Sequence, residues 1–267
     1  LVLGGVHGDE INGVEIIRRS VNEGMFSALT MGSVIAIPLL NIYGFINFSR
    51  DVPDGKDVNR SFPGSTSGSL ASRVARTITK KILPLVDFGV DFHTGGKSLY
   101  NYPQVRFSRN HPESRALALD FAAPFALEMQ PISKSLRKTA LDLGKPIIVF
   151  EGGESLRYDA FAIREGMAGL KRLLQRKDMI SAKPIEKQTE FFQKTKWVRA
   201  EKAGMFLWLK SSGSKVEKGE IIGQINGPYG MSKTIWVKAA ETGTIIGHNN
   251  APVVSQGDAL FHIAYEP

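Results

Sequence analysis

Three polar residues stand where apolar runs end. Residues 1–6 lead into His7, residues 88–92 into His93, and residues 146–150 into Glu151. Glu10 follows His7 by three positions. In an open α/β sheet, ligands bind in the crevice outside the carboxyl ends of the strands, so three such ends can converge. If the chain turns into a helix after His7, positions i and i+3 share a face, and His7 and Glu10 reach one ion. His, Glu and His with an open fourth position is the ligand set of a catalytic zinc. The open position holds a water whose pKa falls toward about 7. A hydrolase built this way also needs a base for the water's proton and a donor for the oxyanion. Glu151 can be the base. The long polar loop at 44–68 offers Arg50 and Arg60 as cations and Asn59 as a neutral donor.

Each element also has an ordinary reading. An H-x-x-E pair arises by chance, and a histidine at a strand end is commonly a satisfied surface or core residue. E-G-G-E at 151–154 can be a polar turn, and D-V-N-R at 57–60 can fold back through Asx-type bonds. His111, His248 and His262 are assigned no chemistry. The glycine pairs at 95–96 and 152–153 match neither G-x-x-x-x-G-K-[ST] nor G-x-G-x-x-G, which argues against a nucleotide site. The chain has no cysteine, so disulfides, thiol catalysis and cysteine-ligated metals are excluded.

The elements that must position these residues follow from the hydropathy pattern. Runs at 1–6, 34–40, 88–92, 125–129 and 147–150 predict strands, several of them continuous enough for a sheet buried on both faces. Val14, Ile17 and Val21 have helical spacing, as do Leu70, Val74, Ile78 and Ile82, and Ile163, Met167, Leu170 and Leu174. Ser69 is placed to cap the second of these helices. Strands alternating with helices predict an α/β fold with a mostly parallel or mixed sheet flanked by helices. The 267 residues, 42% hydrophobic and 22% charged, exclude wholesale disorder. No apolar run is long enough to span a membrane. The net charge of +8 is partly concentrated between 164 and 194 and lacks an aromatic-studded basic motif, so nucleic acid is not an expected partner. A positive field suits a small anionic substrate. The chain opens on Leu1, already inside an apolar run, with no signal-type pattern before it. Upstream residues are expected to be missing, and a cytoplasmic location is the default expectation.

The last third changes character. Residues 181–195 read as a polar linker between a catalytic domain at 1–180 and a β module at 196–267. The module carries an internal repeat on W-V-[RK]-A-x-x-x-G, from Trp197 to Gly204 and again from Trp236 to Gly243. A second echo links Gly219-Glu220-Ile221 with Gly257-Asp258-Ala259. Two copies of a strand-turn-strand unit predict a small β-sandwich that resembles the biotinyl/lipoyl carrier fold. The connecting hairpin at 227–233 contains Lys233 but neither E-x-M-K-M nor D-K-A, so an unmodified packing or capping module is expected.

Four motifs occur in order: G-G-V-H-G-D-E at 4–10, P-D-G-K-D-V-N-R-S-F-P-G at 53–64, D-F-H-T-G-G at 91–96 and I-V-F-E-G-G at 148–153. This set resembles the succinylglutamate desuccinylase/aspartoacylase family of the zinc carboxypeptidase-like superfamily, over roughly residues 1–178. The resemblance implies a Zn²⁺-dependent amidohydrolase that removes an acyl group from an amino acid or a similar small amine. It implies His7, Glu10 and His93 as metal ligands and Glu151 as general acid/base. Asn59 and Arg60 match the pair that grips a substrate carboxylate, and Arg50 matches the arginine that polarises the scissile carbonyl. The expected partner is a small N-acyl substrate with a carboxylate, and a homo-oligomer is compatible with this reading. A metallocarboxypeptidase would use the same residues with an open groove, and a non-catalytic metal-binding or scaffold protein is the third reading.

Overall fold

The apolar runs become strands, and the computed structural model describes residues 1–230 and 233–266. In chain order the first part holds β1 (Val2–Gly4), α1 (Ile11–Asn22), β2 (Ala36–Ile37), α2 (Ile42–Ile46), α3 (Leu70–Thr77) and β3 (Gly89–Gly95). Then come β4 (Leu99–Ser108), α4 (Pro112–Phe121), β5 (Phe125–Met129), α5 (Leu136–Asp142), β6 (Ile147–Glu154), α6 (Ala160–Arg176) and β7 (Glu190–Phe192). Strands β2, β1, β3 and β6 lie side by side and parallel. β4 joins β6 antiparallel, and β5 and β7 continue parallel to β4. The sheet is therefore mixed, in an α/β layering with helices on both faces.

One face is packed by the apolar stripes of α1, α4 and α6: Ile16, Ile17, Leu117, Phe121, Ile163 and Leu170 meet Val90, Phe92, Ile148 and Phe150. The other face is covered by α3 and α5, whose Ala71, Ala75, Leu136 and Ala140 meet Leu1, Leu3 and Ile147. Ser69 Oγ accepts from Ser72 N and caps α3 as its sequence predicts. The helical spacing continues to Ile82, but residues Ile78–Ile82 widen into a π-type turn.

The hydropathy pattern does not show β4, because Pro103 interrupts it. Proline is tolerated in a sheet interior where a bulge removes the need for its N–H. The register does slip here: Asn101 pairs with Gly153, but Gln104 pairs with Glu151.

The remaining strands are β8 (Lys194–Arg199), β9 (Gly204–Trp208), β10 (Lys215–Val216), β11 (Ile221–Asn226), β12 (Ile235–Lys238), β13 (Gly243–Asn249), β14 (Val253–Val254) and β15 (Ala259–Tyr265). They form two layers. β12, β11, β9 and β14 make a separate four-stranded sheet, whereas β13, β15 and β8 extend the main sheet through pairing of β13 with β4. The sequence repeat explains the arrangement. The first strand of each copy pairs with the last strand of the other, β8 with β15 and β12 with β11. Val198, Phe206, Ile222, Val237, Ile245 and Phe261 fill the space between the layers. Residues 231 and 232 of the connecting hairpin lie outside the described residues. No helix among the described residues is long and apolar enough to cross a membrane.

Candidate metal centre and active site

His7 and Glu10 sit in the turn that leaves β1, not on a helix face. Glu10 occupies the N-cap position of α1, and its backbone N–H donates to His7 O at 3.3 Å. Gly8 between them permits a close approach: a Cβ there would meet Gly44 C at 2.0 Å, so the 42–50 segment packs directly on the turn and brings Arg50 in. His93 comes from β3, whose neighbour β6 places Glu151 in direct register with it.

His7 Nδ1 lies 2.8 Å from Glu10 Oε1, and His93 Nδ1 lies 2.8 Å from Glu10 Oε2. The two Nδ1 atoms are 3.2 Å apart. Each ring has a carboxylate at its far nitrogen. His93 Nε2 is 2.8 Å from Asp91 Oδ2, and His7 Nε2 is 3.3 Å from Asp57 Oδ1. A carboxylate behind the ring favours a proton on Nε2 and leaves Nδ1 as a lone-pair donor. Two imidazole nitrogens and the Glu10 carboxylate then converge, an arrangement suited to a shared cation, while Arg50 Nη1 and Thr94 N also donate to that carboxylate. The three ligand atoms lie within 4.8 Å of one another, and all three residues are buried. Imidazole and carboxylate donors with carboxylate support behind them fit zinc.

The protonation tendencies follow the same crowding. Burial alone would depress both histidines, but Glu10 with Asp57 outweighs it at His7, and Asp91 with Glu10 outweighs it at His93, so both are raised. Burial would raise Glu10, but the two histidines hold it well below the carboxylate range. Asp57 is likewise held low, burial being outweighed by His7 and Arg50.

Around this cluster lies a cavity of about 250 Å³ that His7, Glu10, Arg50, Asn59, Arg60, His93 and Glu151 all line. All seven residues singled out in the sequence are thus brought together. Glu151 is gripped from both sides: Asn101 Nδ2 donates to Oε2 at 2.9 Å, and Arg106 Nη1 lies 3.0 Å from Oε1. Arg50 Nη1 donates to Glu10 Oε1 at 3.2 Å, and its Nη2 to Asp57 Oδ2 at 2.9 Å. Asn59 Oδ1 accepts from Leu136 N, and among the described residues its Nδ2 makes no hydrogen bond. Asp57 accepts from Asn59 N at 2.6 Å, so the Asx-type turn is present as well. Arg60 is exposed at the rim and bonds Asn59 O.

Among the lining residues that sequence reasoning missed are Asp91, Asn101, Arg106, Arg137 and Trp197. Asp91 was readable, because residues two apart on a strand share a face and His93 lies on β3. Asn101 and Arg106 lie on the strand that Pro103 concealed. Arg137, in the first turn of α5, is 7% exposed, and among the described residues its Nη1 finds no hydrogen-bond partner. Burial first, then the charge of Arg106, bring its guanidinium down to about 10. A second cavity of about 360 Å³, lined by Phe107, His111 and Arg115, gathers no comparable donor set. His111 there is committed to capping α4.

The succinylglutamate desuccinylase/aspartoacylase catalytic domain matches residues 1–176. An N-alpha-acetyl-L-2,4-diaminobutyric acid deacetylase of Halomonas elongata is 27% identical over 286 residues, covering 99% of this chain and 81% of that protein. A succinylglutamate desuccinylase/aspartoacylase from Rhodobacter sphaeroides superposes with a TM-score of 0.88 at 25% identity, covering 100% of this chain and 85% of that one. The product-bound ectoine utilization protein EutE (DoeB) of Ruegeria pomeroyi shares the fold, with a TM-score of 0.89 at 23% identity over 99% of this chain and 84% of that one. With its metal-type cluster at the strand ends and the family's catalytic domain matched over residues 1–176, the chain belongs to the succinylglutamate desuccinylase/aspartoacylase family.

Proposed function

We propose that the protein is a zinc-dependent amidohydrolase that removes an acyl group from a small N-acylated amino acid or acyl-diamine. The observation that carries this reading is the convergence of His7, Glu10 and His93 in the same cavity as a doubly held Glu151. Bound by these three residues, the ion supplies an acidified water and a Lewis-acidic partner for the amide carbonyl. Glu151 takes a proton from the attacking water and returns it to the leaving nitrogen. Arg50 polarises the carbonyl oxygen, and Asn59 donates through Nδ2. Among the described residues no carboxylate is bonded to Arg60 or Arg137, so in this reading they grip an anionic group on the substrate. A cavity of about 250 Å³ suits a ligand of amino-acid size better than a peptide. Residues 1–180 carry the chemistry in this reading, 181–195 link, and 196–267 form a carrier-like sandwich that caps the site without being modified.

The test is a panel of N-acetyl, N-succinyl and N-formyl amino acids and diamines, beside short peptides, with metal content measured on the same preparation. The expected result is about one zinc per chain and turnover of at least one N-acyl compound. Preference for peptides would indicate a carboxypeptidase, and metal without any turnover a binding protein.

A further inference from the structure

Of the described residues that line the cavity, Trp197 alone comes from the C-terminal strands. The repeat provides an internal comparison for it. Across β8 and β15 Trp197 stands opposite His262, and across β12 and β11 Trp236 stands opposite Gln224. The two pairs occupy the same place in the two copies. Trp236 is 49% exposed and its partner is an amide. Trp197 lies flat on His262, with ring centroids 4.1 Å apart and planes 6° apart, and His262 is 3% exposed. The repeat therefore folds without an aromatic clamp at this position, yet the copy that faces the cavity has one.

His262 gives up hydrogen bonding to take this place. Among the described residues its Nδ1 has no partner. Burial first, and the charge of Arg106 second, hold the ring neutral with its pKa down to about 3. A buried unpartnered nitrogen costs stability, so the ring's contribution lies in its face. The charge of Arg106 reaches His262, and its Nη1 holds Glu151. In the sheet, β8 lies on the β4 side of β6, whereas His93 comes from β3 on the other side, so the indole reaches the cavity from the side opposite His93; Val149 also lines the cavity.

We propose that Trp197, clamped by His262, is the wall that fixes how long an aliphatic segment of the substrate extends past Glu151. Trp197 is thus a specificity-determining residue, and His262 is a positioning residue that acts through it. The proposal rests on the amidohydrolase reading. An apolar wall discriminates by methylene count, and one methylene too many changes kcat/KM by about 10- to 200-fold.

Two substrate series test it, one lengthened a methylene at a time in the acyl group and the other in the amine. They are assayed on the parent, Trp197→Phe, Trp197→Ala, His262→Ala, His262→Phe and Trp236→Ala, each checked by thermal melting. The parent is expected to lose at least about tenfold in kcat/KM at one step of one series. Trp197→Ala and His262→Ala move that step to a longer member through KM, His262→Phe restores it, and Trp236→Ala leaves it in place. Indole fluorescence titrated with the same compounds changes in the parent and not in Trp197→Phe. The proposal is overturned if both Trp197 variants keep the parent's cut-off, or if Trp236→Ala moves it as far. If the parent hydrolyses no compound, the amidohydrolase reading fails separately. The titration then decides alone, because length-limited binding must depend on Trp197.

Discussion

Glu151→Gln separates proton transfer from metal binding, and the structure sets its cost. Both carboxylate oxygens face donors, Asn101 Nδ2 at 2.9 Å and Arg106 Nη1 at 3.0 Å, on a side chain that is 11% exposed. Glutamine keeps the size, but whichever way its amide turns, the new NH2 meets one of those donors. One charge-assisted bond, worth about 1.5–3 kcal/mol, is replaced by a donor facing a donor. Breaking a fully buried pair reaches about 3–5 kcal/mol, but the cavity admits water to the freed guanidinium, so about 2 kcal/mol is the expected loss. For a chain of this size that lowers Tm by about 4–8 °C. The partner substitution Asn101→Asp, added to Glu151→Gln, restores an acceptor opposite the amide and should recover about 1 kcal/mol without recovering activity. Steady-state assays should show kcat lower by at least about 10²-fold. Metal content by plasma emission should stay at the parental value in Glu151→Gln and fall in His93→Ala. If Glu151→Gln loses the metal while His93→Ala keeps it, the base and ligand assignments are wrong. If Glu151→Gln keeps its kcat and its Tm, the two-sided grip on Glu151 has no role.

Three further outcomes are expected. Asp91→Asn should weaken metal affinity by about 10- to 100-fold in a chelator competition, because Asp91 orients His93; equal affinity would remove that role. Arg60→Lys keeps charge but loses the planar fork, and should cost about 30- to 150-fold in kcat/KM on a carboxylated substrate. An unchanged value would leave Arg137 as the cation that grips the carboxylate. His248 is lowered by burial to about 4, and His262 by burial and then Arg106 to about 3, from an ordinary 6.5. Above 6.5 both are neutral whether folded or not. As pH falls from there the unfolded chain takes up protons that the folded one does not, so each costs about 1.4 kcal/mol of stability per pH unit. Denaturant midpoints measured between pH 6.5 and 4.5 should fall less steeply in His262→Phe than in the parent, and equal slopes would refute the linkage.

The candidate site was legible because its residues sit where apolar runs stop. His7, His93 and Glu151 needed only the rule that strand ends converge, and the spacing to Glu10 completed the set. The order of the four motifs carried the family. The strand that holds Glu151 in place was not legible. Pro103 and the polar Asn101, Gln104 and Arg106 break its alternation, and only the bulge opposite Gly153 and Glu151 lets that sequence lie in a sheet interior. Arg137 was hidden for another reason. Nothing local distinguishes an arginine in the first turn of an exposed helix from one tucked under a cavity. The repeat in the last third was visible, but its pairing with the main sheet was not, since no pattern in β13 names β4 as its neighbour.

That pairing brings a C-terminal strand against the residue that holds Glu151. The outer edge of β4 is divided at its bulge: β5 pairs along 104–108, and β13 pairs along 99–101. Asn101, which holds Glu151 Oε2, therefore lies opposite Gly247 of β13. A Cβ at Gly247 would sit 2.9 Å from Tyr100 O and 3.0 Å from Asn101 Oδ1, so alanine there must displace Asn101 by a few tenths of an ångström. Gly247 is not among the described residues that line the cavity. Gly247→Ala should leave metal content unchanged and KM near the parent's, while kcat falls by several-fold and up to about tenfold, below the roughly 10²-fold of a 1 Å misplacement. A substitution that merely loosened the fold would lower Tm and leave the kcat of the remaining folded enzyme intact. Active-site titration of the folded fraction, followed by kcat on that fraction, distinguishes the two. A parental kcat per folded site would mean that β13 braces the sheet and not Glu151.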